Sequence, residues 1–566
     1  MARHLPVLLR PAAQPWAVRP AVGAIVVAVL VLGVGTVAGR PVEAGLTYFG
    51  VACAAVFVTG RHYRVRVALV GAQAAGAIIG MTIGAVLPTS TAWVVAVATV
   101  VAGLCGAIGA IGPASTAFGM MGVIGLAFTQ FSRLGMPWWE PPLWYLLGSG
   151  LVLAAGLVGA LHHPRRYQRA ALAEVFAAAA ALVRAPAGDT GVRARLARAS
   201  ASAREAVLGY RIRQPGTGEI DRLWTVAEAT ALRVASHVPD DASDAADLDR
   251  LAEEVRDGRE TPTTDRRPPA QCDPMIPWVR VRDRDALLVG ARLAICVGVA
   301  TLVASLLHST EHAYWIPLTV ATVLRPEYGS VFARFVHRAL GTVAGVLLMA
   351  CTLSLTTSAW VLITVGALAL GCAVLASPRL YGLSVVGITT SALVASALAD
   401  PARVEPWIRL GDTALGCLVV LVLGYLVWPR HGEPDPARRT AQVAAAVAAY
   451  ADLELRLPDD PRLAGARDEA YRRAHTWRNA LQQRLADPPP AGPDAVAWTP
   501  VAARVEDLAD AVSAAGARIR AGNDPPDDAA RQEIVRAISA VGDPAVPDEA
   551  LAALASVGRG GDAGAP

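Results

Sequence analysis

The run HAYWIPLTVATVL at 312–324 is almost wholly apolar, yet it is only thirteen residues long and carries a proline, Pro317. A bilayer-crossing helix needs roughly 17–25 mostly apolar residues. This run and its weaker companion, LTYFGVACAAVFVTG at 46–60, therefore fix how often the chain crosses. Ten runs of ordinary length surround them, near 20–39, 65–87, 92–112, 114–132 and 143–161, then 286–307, 338–356, 359–376, 380–398 and 408–428. Counting all twelve gives six spans in each half. The bulk figures agree. The 566 residues are too many for one ordinary core, and they are 54% hydrophobic and 17% charged with a mean hydropathy of +0.42. Soluble proteins carry about 25% charged residues, and here the deficit is concentrated in those runs, so the chain has two solvents, lipid and water.

The first apolar run follows Arg3, Arg10 and Arg19 and resembles a signal peptide, but it is longer than the usual 7–15 residues and further spans follow it. It is expected to be a retained first helix. With the N-terminus cytoplasmic, twelve spans place Arg61, Arg64, Arg66, Arg165, Arg166 and Arg169 inside, with Arg280, Arg282, Arg284, Arg325, Arg334, Arg338, Arg379 and Arg430. Only Arg40, Arg133, Arg403 and Arg409 fall outside. This is the positive-inside bias, and it predicts both termini in the cytoplasm.

The halves also resemble each other. Tyr48 and Tyr314 are 266 residues apart, and Gly76/Gly341, Gly80/Gly345 and Pro164/Pro429 are each 265 apart. An even number of spans per half makes the repeats parallel. The expected fold is therefore all-α: a polytopic membrane protein with two parallel six-helix transmembrane repeats, each followed by a cytoplasmic helical domain. The expected bounds are 1–163 for the first bundle, 164–257 for its helical domain and 258–280 for a Pro-rich linker. The second bundle takes 281–430, a C-terminal helical domain 431–557, and a disordered tail 558–566. In the helical domains apolar residues recur at three and four, as in ARDEAYRRAHTWRNALQQRLA at 466–486.

Several chemistries are excluded or disfavoured. Every basic residue is arginine, so there is no Walker A lysine for phosphates and no Schiff-base amine. Cys53, Cys105, Cys272, Cys296, Cys351, Cys372 and Cys417 form no CxxC pair and are expected to be neither a zinc site nor a disulfide framework. His308-Ser-Thr-Glu311-His312 matches the inverted zinc-peptidase motif. It falls in a short loop with no third ligand in prospect, and a solvated loop or a proton-sensing cavity rim is the preferred reading. No catalytic set is visible. The expectation is a protein that is not an enzyme, with no cofactor, no metal and no nucleic-acid partner.

In paired halves, short or Pro-interrupted spans point to a binding site. Here these are 46–60, with Tyr48, and 312–324, with Tyr314, Trp315, Pro317 and Thr319. Aromatic rings, hydroxyls and freed backbone would suit a partly aromatic anion. In the alternative, the rings form an interfacial belt and Pro317 is a tolerated kink. Arg292, Arg338 and Asp412 lie within apolar runs, where charges are costly and usually purposeful. Either the arginines face an anion pathway and Asp412 carries a coupling proton, or the arginines snorkel and Arg409 neutralises Asp412 locally. Gly76 and Gly80, with Gly341 and Gly345, have the spacing for close helix packing.

The segment EHAYWIPLTVATVLRPEYGSVFARFVHRALGTVAGVLL at 311–348 closely resembles the fusaric-acid-resistance-like (FUSC) membrane family, related to aromatic acid exporters and more distantly to plant malate transporters. The matching residues are Arg292, Tyr314-Trp315-x-Pro317-Leu318-Thr319, Arg325-Pro326, Arg334 with Arg338, Gly341-Thr342-x-x-Gly345, Arg409-x-x-Asp412-Thr413 and Trp428-Pro429. Strong resemblance covers about 290–430, whereas the first half keeps Tyr48 but lacks the proline and the Arg-Pro pair. The resemblance implies export of small organic, often aromatic, acids across the bacterial plasma membrane; without a nucleotide site, the drive is expected to be a gradient or an unseen partner. The expected partners are the lipid bilayer and an organic anion, and an accessory subunit or homo-oligomer is left open. The competing reading is a non-transporting membrane scaffold acting through its helical domains.

Overall fold

The structure is a computed structural model. It describes residues 16–58, 63–88, 90–132, 134–162, 165–185, 190–208, 219–236, 242–259, 284–307, 313–324, 331–399, 406–427, 436–456, 460, 462–484, 491–520, 524–541 and 554. Among these residues the regular elements are all helical. The His308–His312 motif, Arg325-Pro326, Trp428-Pro429, most of the linker and the C-terminal tail lie outside them.

The chain divides into two compact units: Met1–His162 with Pro274–Gly432, and His163–Asp273 with Glu433–Pro566. The first contains α1 (Val18–Val37), α2 (Pro41–Phe57), α3 (Tyr63–Val86), α4 (Thr91–Gly109), α5 (Pro113–Ser132) and α6 (Glu140–His162). It also contains α11 (Arg284–Leu306), α12 (Trp315–Val323), α13 (Val331–Leu355), α14 (Ala359–Ala376), α15 (Tyr381–Ala399) and α16 (Pro406–Val419), which continues as a π-helix over Val420–Leu426. The second unit holds α7 (Arg166–Arg184), α8 (Thr190–Leu208), α9 (Glu219–Ser236) and α10 (Ala242–Asp257), with α17 (Pro436–Arg456), α18 (Leu463–Arg484), α19 (Ala491–Arg520) and α20 (Asp528–Ser539).

Composition explains the division. Among the described residues of the first unit, ten helices are long and apolar enough to cross a membrane, and the 17-residue α2 is a shorter apolar one. Their outward side chains stay apolar: Val22, Val26, Leu30 and Val34 run down one exposed face of α1, as a lipid-facing helix requires. Trp93, Trp138, Trp139, Trp360 and Trp407 are all exposed. They lie at or just before the starts of α4, α6, α14 and α16. If successive helices cross in alternate directions, those starts share one side, where amphipathic indoles prefer the membrane–water interface.

Helices of the second unit are instead amphipathic. One set closes on Leu172, Phe176, Leu223 and Trp224. The other closes on Val447, Tyr450, Trp477, Leu481, Val505 and Ile538. Arg467 of α18 bonds Glu228 of α9 at 2.8 Å and so ties chain on either side of the membrane stretch.

Within the membrane unit the two stretches interleave. α1 packs on α14 and α4 on α11, while α2 packs on α15 and α12 on α5. The four spaced glycines stand at close contacts. A Cβ at Gly76 would meet the Phe118 backbone, and at Gly80 that of Gly122 and Leu126; at Gly341 it would meet Gly382 and Val385, and at Gly345 Val386 and Thr389.

α12 is the exception in length. Nine residues rise about 13 Å, less than half of a hydrocarbon core of roughly 30 Å. From Ala313 to Leu324 only Thr322 is not buried, because α5, α11, α13 and α16 all pack on this helix.

Gly80→Val should place two methyl groups against the α5 backbone and cost about 1–3 kcal/mol by overpacking, whereas Gly71, with nothing within 4 Å of its Cβ position, should tolerate the same change. Thermal unfolding in detergent reads the difference, and equal shifts for both variants would deny the close approach its structural role.

Candidate functional site

The first turn of α12 sets the site. Tyr314 precedes it, and Trp315, Ile316 and Pro317 are its first three residues. The backbone N–H groups of a first turn have no intrahelical acceptor, so Pro317 gives up a donor that the helix would not have used. The expected mid-helix kink is therefore absent: Pro317 sits where its fixed φ starts a helix. Behind it, Gly416 of α16 lets the two helices approach, since a Cβ there would lie 2.9 Å from the Ile316 carbonyl oxygen and 2.8 Å from Thr319 Cβ.

Over this turn lies Arg409. Its guanidinium carbon is 3.0 Å from the centroid of the Trp315 ring. The Tyr314 ring lies against that of Trp315, tilted by 39° with centroids 4.6 Å apart, and meets Phe128 of α5 edge-on at 5.1 Å. Arg409 is 2% exposed, Arg338 of α13 3% and Asp412 4%. The ionisable groups facing Arg409 are Arg338, Tyr314 and Asp412. Arg338 is the eighth residue of α13, about 10 Å from its start, and also faces Cys417 of α16. The charged core of the site is thus two cations and one carboxylate.

What distinguishes the cluster is its hydrogen bonding. Nε, Nη1 and Nη2 of Arg409 are all buried without a partner, as are Nε of Arg338, Oδ2 of Asp412 and the hydroxyls of Thr319 and Thr342. Buried polar groups are normally paired, and an exception calls for an explanation such as an absent ligand or water. A guanidinium presents a planar fork of donors matched to a carboxylate and stacks on aromatic faces. Two arginines, unpaired hydroxyls and an aromatic pair thus lie together, a donor set suited to an anionic oxygen.

The structure brings together Tyr314, Trp315, Thr319, Arg338 and Asp412 of the residues singled out in the sequence. Arg338 is buried and does not snorkel. Tyr48 stands apart, its hydroxyl donating to the Gly366 carbonyl of α14 at 3.2 Å. Arg292 is half-buried on α11, one turn before Cys296, and is not among the groups facing Arg409. Local neutralisation of Asp412 by Arg409 was one of two readings; the two groups face each other, but none of the Arg409 nitrogens donates to that carboxylate. The signal for it was present: Arg409 and Asp412 are three apart, so they share a helix face.

Helix lengths and the apolar exterior define an all-α polytopic membrane protein with a buried, partly unpaired cationic cluster. Residues 299–423, from α11 into the π-helix, match the family model described as fusaric acid resistance protein-like. An uncharacterized Escherichia coli (strain K12) protein, YhfK, is 30% identical over 209 residues, 36% of this chain and 29% of the relative. An uncharacterized Synechocystis protein is 31% identical over 126 residues, 22% of this chain and 17% of the relative. The chain therefore spans less than a third of the length of either. No solved structure matches.

Asp412→Asn would leave two buried cations without their facing carboxylate. It is expected to lower the unfolding temperature by about 2 °C or more, because removing one partner strands the other charges. An unchanged temperature would show that Asp412 compensates neither arginine.

Proposed function

We propose that this chain moves small organic anions, aromatic carboxylates foremost, outward across the bacterial plasma membrane, with both termini cytoplasmic. The observation that carries the reading is Arg409: buried at 2% exposure, stacked on Trp315, and with three guanidinium nitrogens bonded to nothing in the protein. An anion that supplies the missing acceptors would recover charge-assisted bonds, which in a low-dielectric setting are among the strongest noncovalent contacts. Its ring would take the place beside Trp315 and Tyr314. A site built this way binds through charge and aromatic area, which tolerates variation in the rest of the acid.

The fold supplies a reason for movement. α12 begins and ends inside protein, as discontinuous helices do where transporters hold substrate near the midplane. With no lysine in the chain, there is no P-loop to couple hydrolysis, so the drive in this reading is a gradient. Asp412 is the group placed to carry a proton. The family match, named for resistance to an acid, agrees with outward movement.

Flux of labelled benzoate in proteoliposomes tests this. Arg409→Gln should cut flux at least tenfold, since charge-assisted bonds contribute roughly 1.5–3 kcal/mol. Arg409→Lys should fall between, keeping charge but losing the planar fork. An imposed pH gradient should accelerate the parent protein, and Asp412→Asn should abolish that acceleration. Undiminished benzoate flux through Arg409→Gln would remove the site assignment.

A further inference from the structure

The counterpart of this cluster in the first stretch has the same layout and the opposite chemistry. Gln73 precedes Arg338 by 265 residues, the offset that relates Gly76 to Gly341 and Gly80 to Gly345 on the same two helices. The contacts keep step: Gly80 meets Gly122, and Gly345 meets Val386 and Thr389, which flank the residue 265 after Gly122. On α2 and α12 the offset is 266, pairing Tyr48 with Tyr314, Phe49 with Trp315 and Cys53 with Thr319. Gly50 abuts the backbone of Tyr145 and Ser149 on α6, and its counterpart Ile316 abuts Gly416 on α16. α6 and α16 thus pack on equivalent places of α2 and α12.

The side chains at these first-stretch positions are neutral and bonded to one another. The Tyr145 hydroxyl donates to Gln73 Oε1 at 2.5 Å, Gln73 Nε2 donates to Ser149 Oγ at 3.1 Å, and Ser149 Oγ donates to the Gly50 carbonyl at 3.4 Å. Gln73 and Tyr145 are fully buried, and Ser149 is 1% exposed. None of their polar atoms is left without a partner. Phe49, opposite Trp315, packs on Tyr145 at 5.4 Å and on Phe128 at 4.7 Å. Phe128 in turn meets Tyr314. The two positions are thus neighbours joined by rings, one saturated with hydrogen bonds and the other not.

We infer that the Gln73–Tyr145–Ser149 network is a closed polar lock that takes no ligand, so that of these two positions the one at Arg338 and Arg409 alone receives an anion. A fully satisfied neutral network rigidifies and offers an anion neither charge nor a free donor. A cluster of unpaired cations is destabilising until something binds. The first stretch then acts as the fixed arm, and the second carries the ligand. This inference rests on the reading of Arg338 and Arg409 as the anion site, but its ligand-free consequences can be measured separately.

Two readouts on the full chain in detergent test it. In thermal unfolding without ligand, Gln73→Leu and Tyr145→Phe should lower the unfolding temperature by about 2 °C or more, while Arg338→Gln should leave it unchanged or raise it. In equilibrium binding with benzoate as probe, the parent chain should take one benzoate. Arg338→Gln should weaken binding at least tenfold, and Tyr145→Phe should stay within twofold. Tyr145→Phe removes a single oxygen, so it carries the test if Gln73→Leu does not fold. Two benzoates per chain, or a tenfold loss from Tyr145→Phe, would overturn the inference. Failure of benzoate to bind the parent would overturn the anion reading instead, and the thermal shifts would then decide the lock: a drop for Tyr145→Phe with none for Arg338→Gln supports it, and any other pattern removes it.

Discussion

A buried cation with no hydrogen-bond partner governs this structure. Arg409 lies over Trp315 with its three guanidinium nitrogens unbonded, at a depth where each unpaired donor costs free energy. The aromatic face recovers a part of that cost, since a desolvated cation over an indole gains roughly 2 kcal/mol or more. The remainder is held by the packing around it. α12 can present Trp315 because four helices enclose it and leave no lipid face. Irregular backbone at membrane depth is tolerated only where protein or a cavity surrounds it. The short helix, its enclosure and the stranded arginine are therefore one arrangement.

Small residues make that arrangement possible. Lipid tails are as apolar as leucine, so helices in a bilayer associate through close packing and not by excluding water. Gly76, Gly80, Gly341 and Gly345 bring α3 onto α5 and α13 onto α15, and Gly416 brings α16 onto α12. The last of these has a chemical consequence. It lets α16 lie close enough to α12 for Arg409 to reach the indole. Packing in one place thus sets electrostatics in another.

Within the membrane unit Gln73 and Tyr145 satisfy each other, while Arg409 and Asp412 leave atoms unpaired. Stability and readiness to bind are opposed here, because a group that has already found its partner in the protein has nothing to offer a ligand.

Much was legible in the sequence. Span length, apolar content and arginine distribution follow directly from the cost of charge and of unpaired backbone in hydrocarbon, and so twelve apolar segments and the all-helical class could be read without coordinates. The aromatic pair at Tyr314 and Trp315, Thr319, Arg338 and Asp412 could be nominated as well, because charge and hydroxyls in apolar runs stand out. What the sequence could not settle was length and proximity. Pro317 read as a kink because the extent of α12 was unknown; once the helix begins at Trp315, the same proline falls in its first turn. Tyr48 and Arg292 qualified by the same local criteria as the others, yet Tyr48 bonds α14 and Arg292 lies beside Cys296. Arg409 read only as a local counter-charge for Asp412, three residues away. Burial and hydrogen-bond satisfaction are sums over neighbours distant in the chain. Only the packed helices decide which arginine ends without a partner.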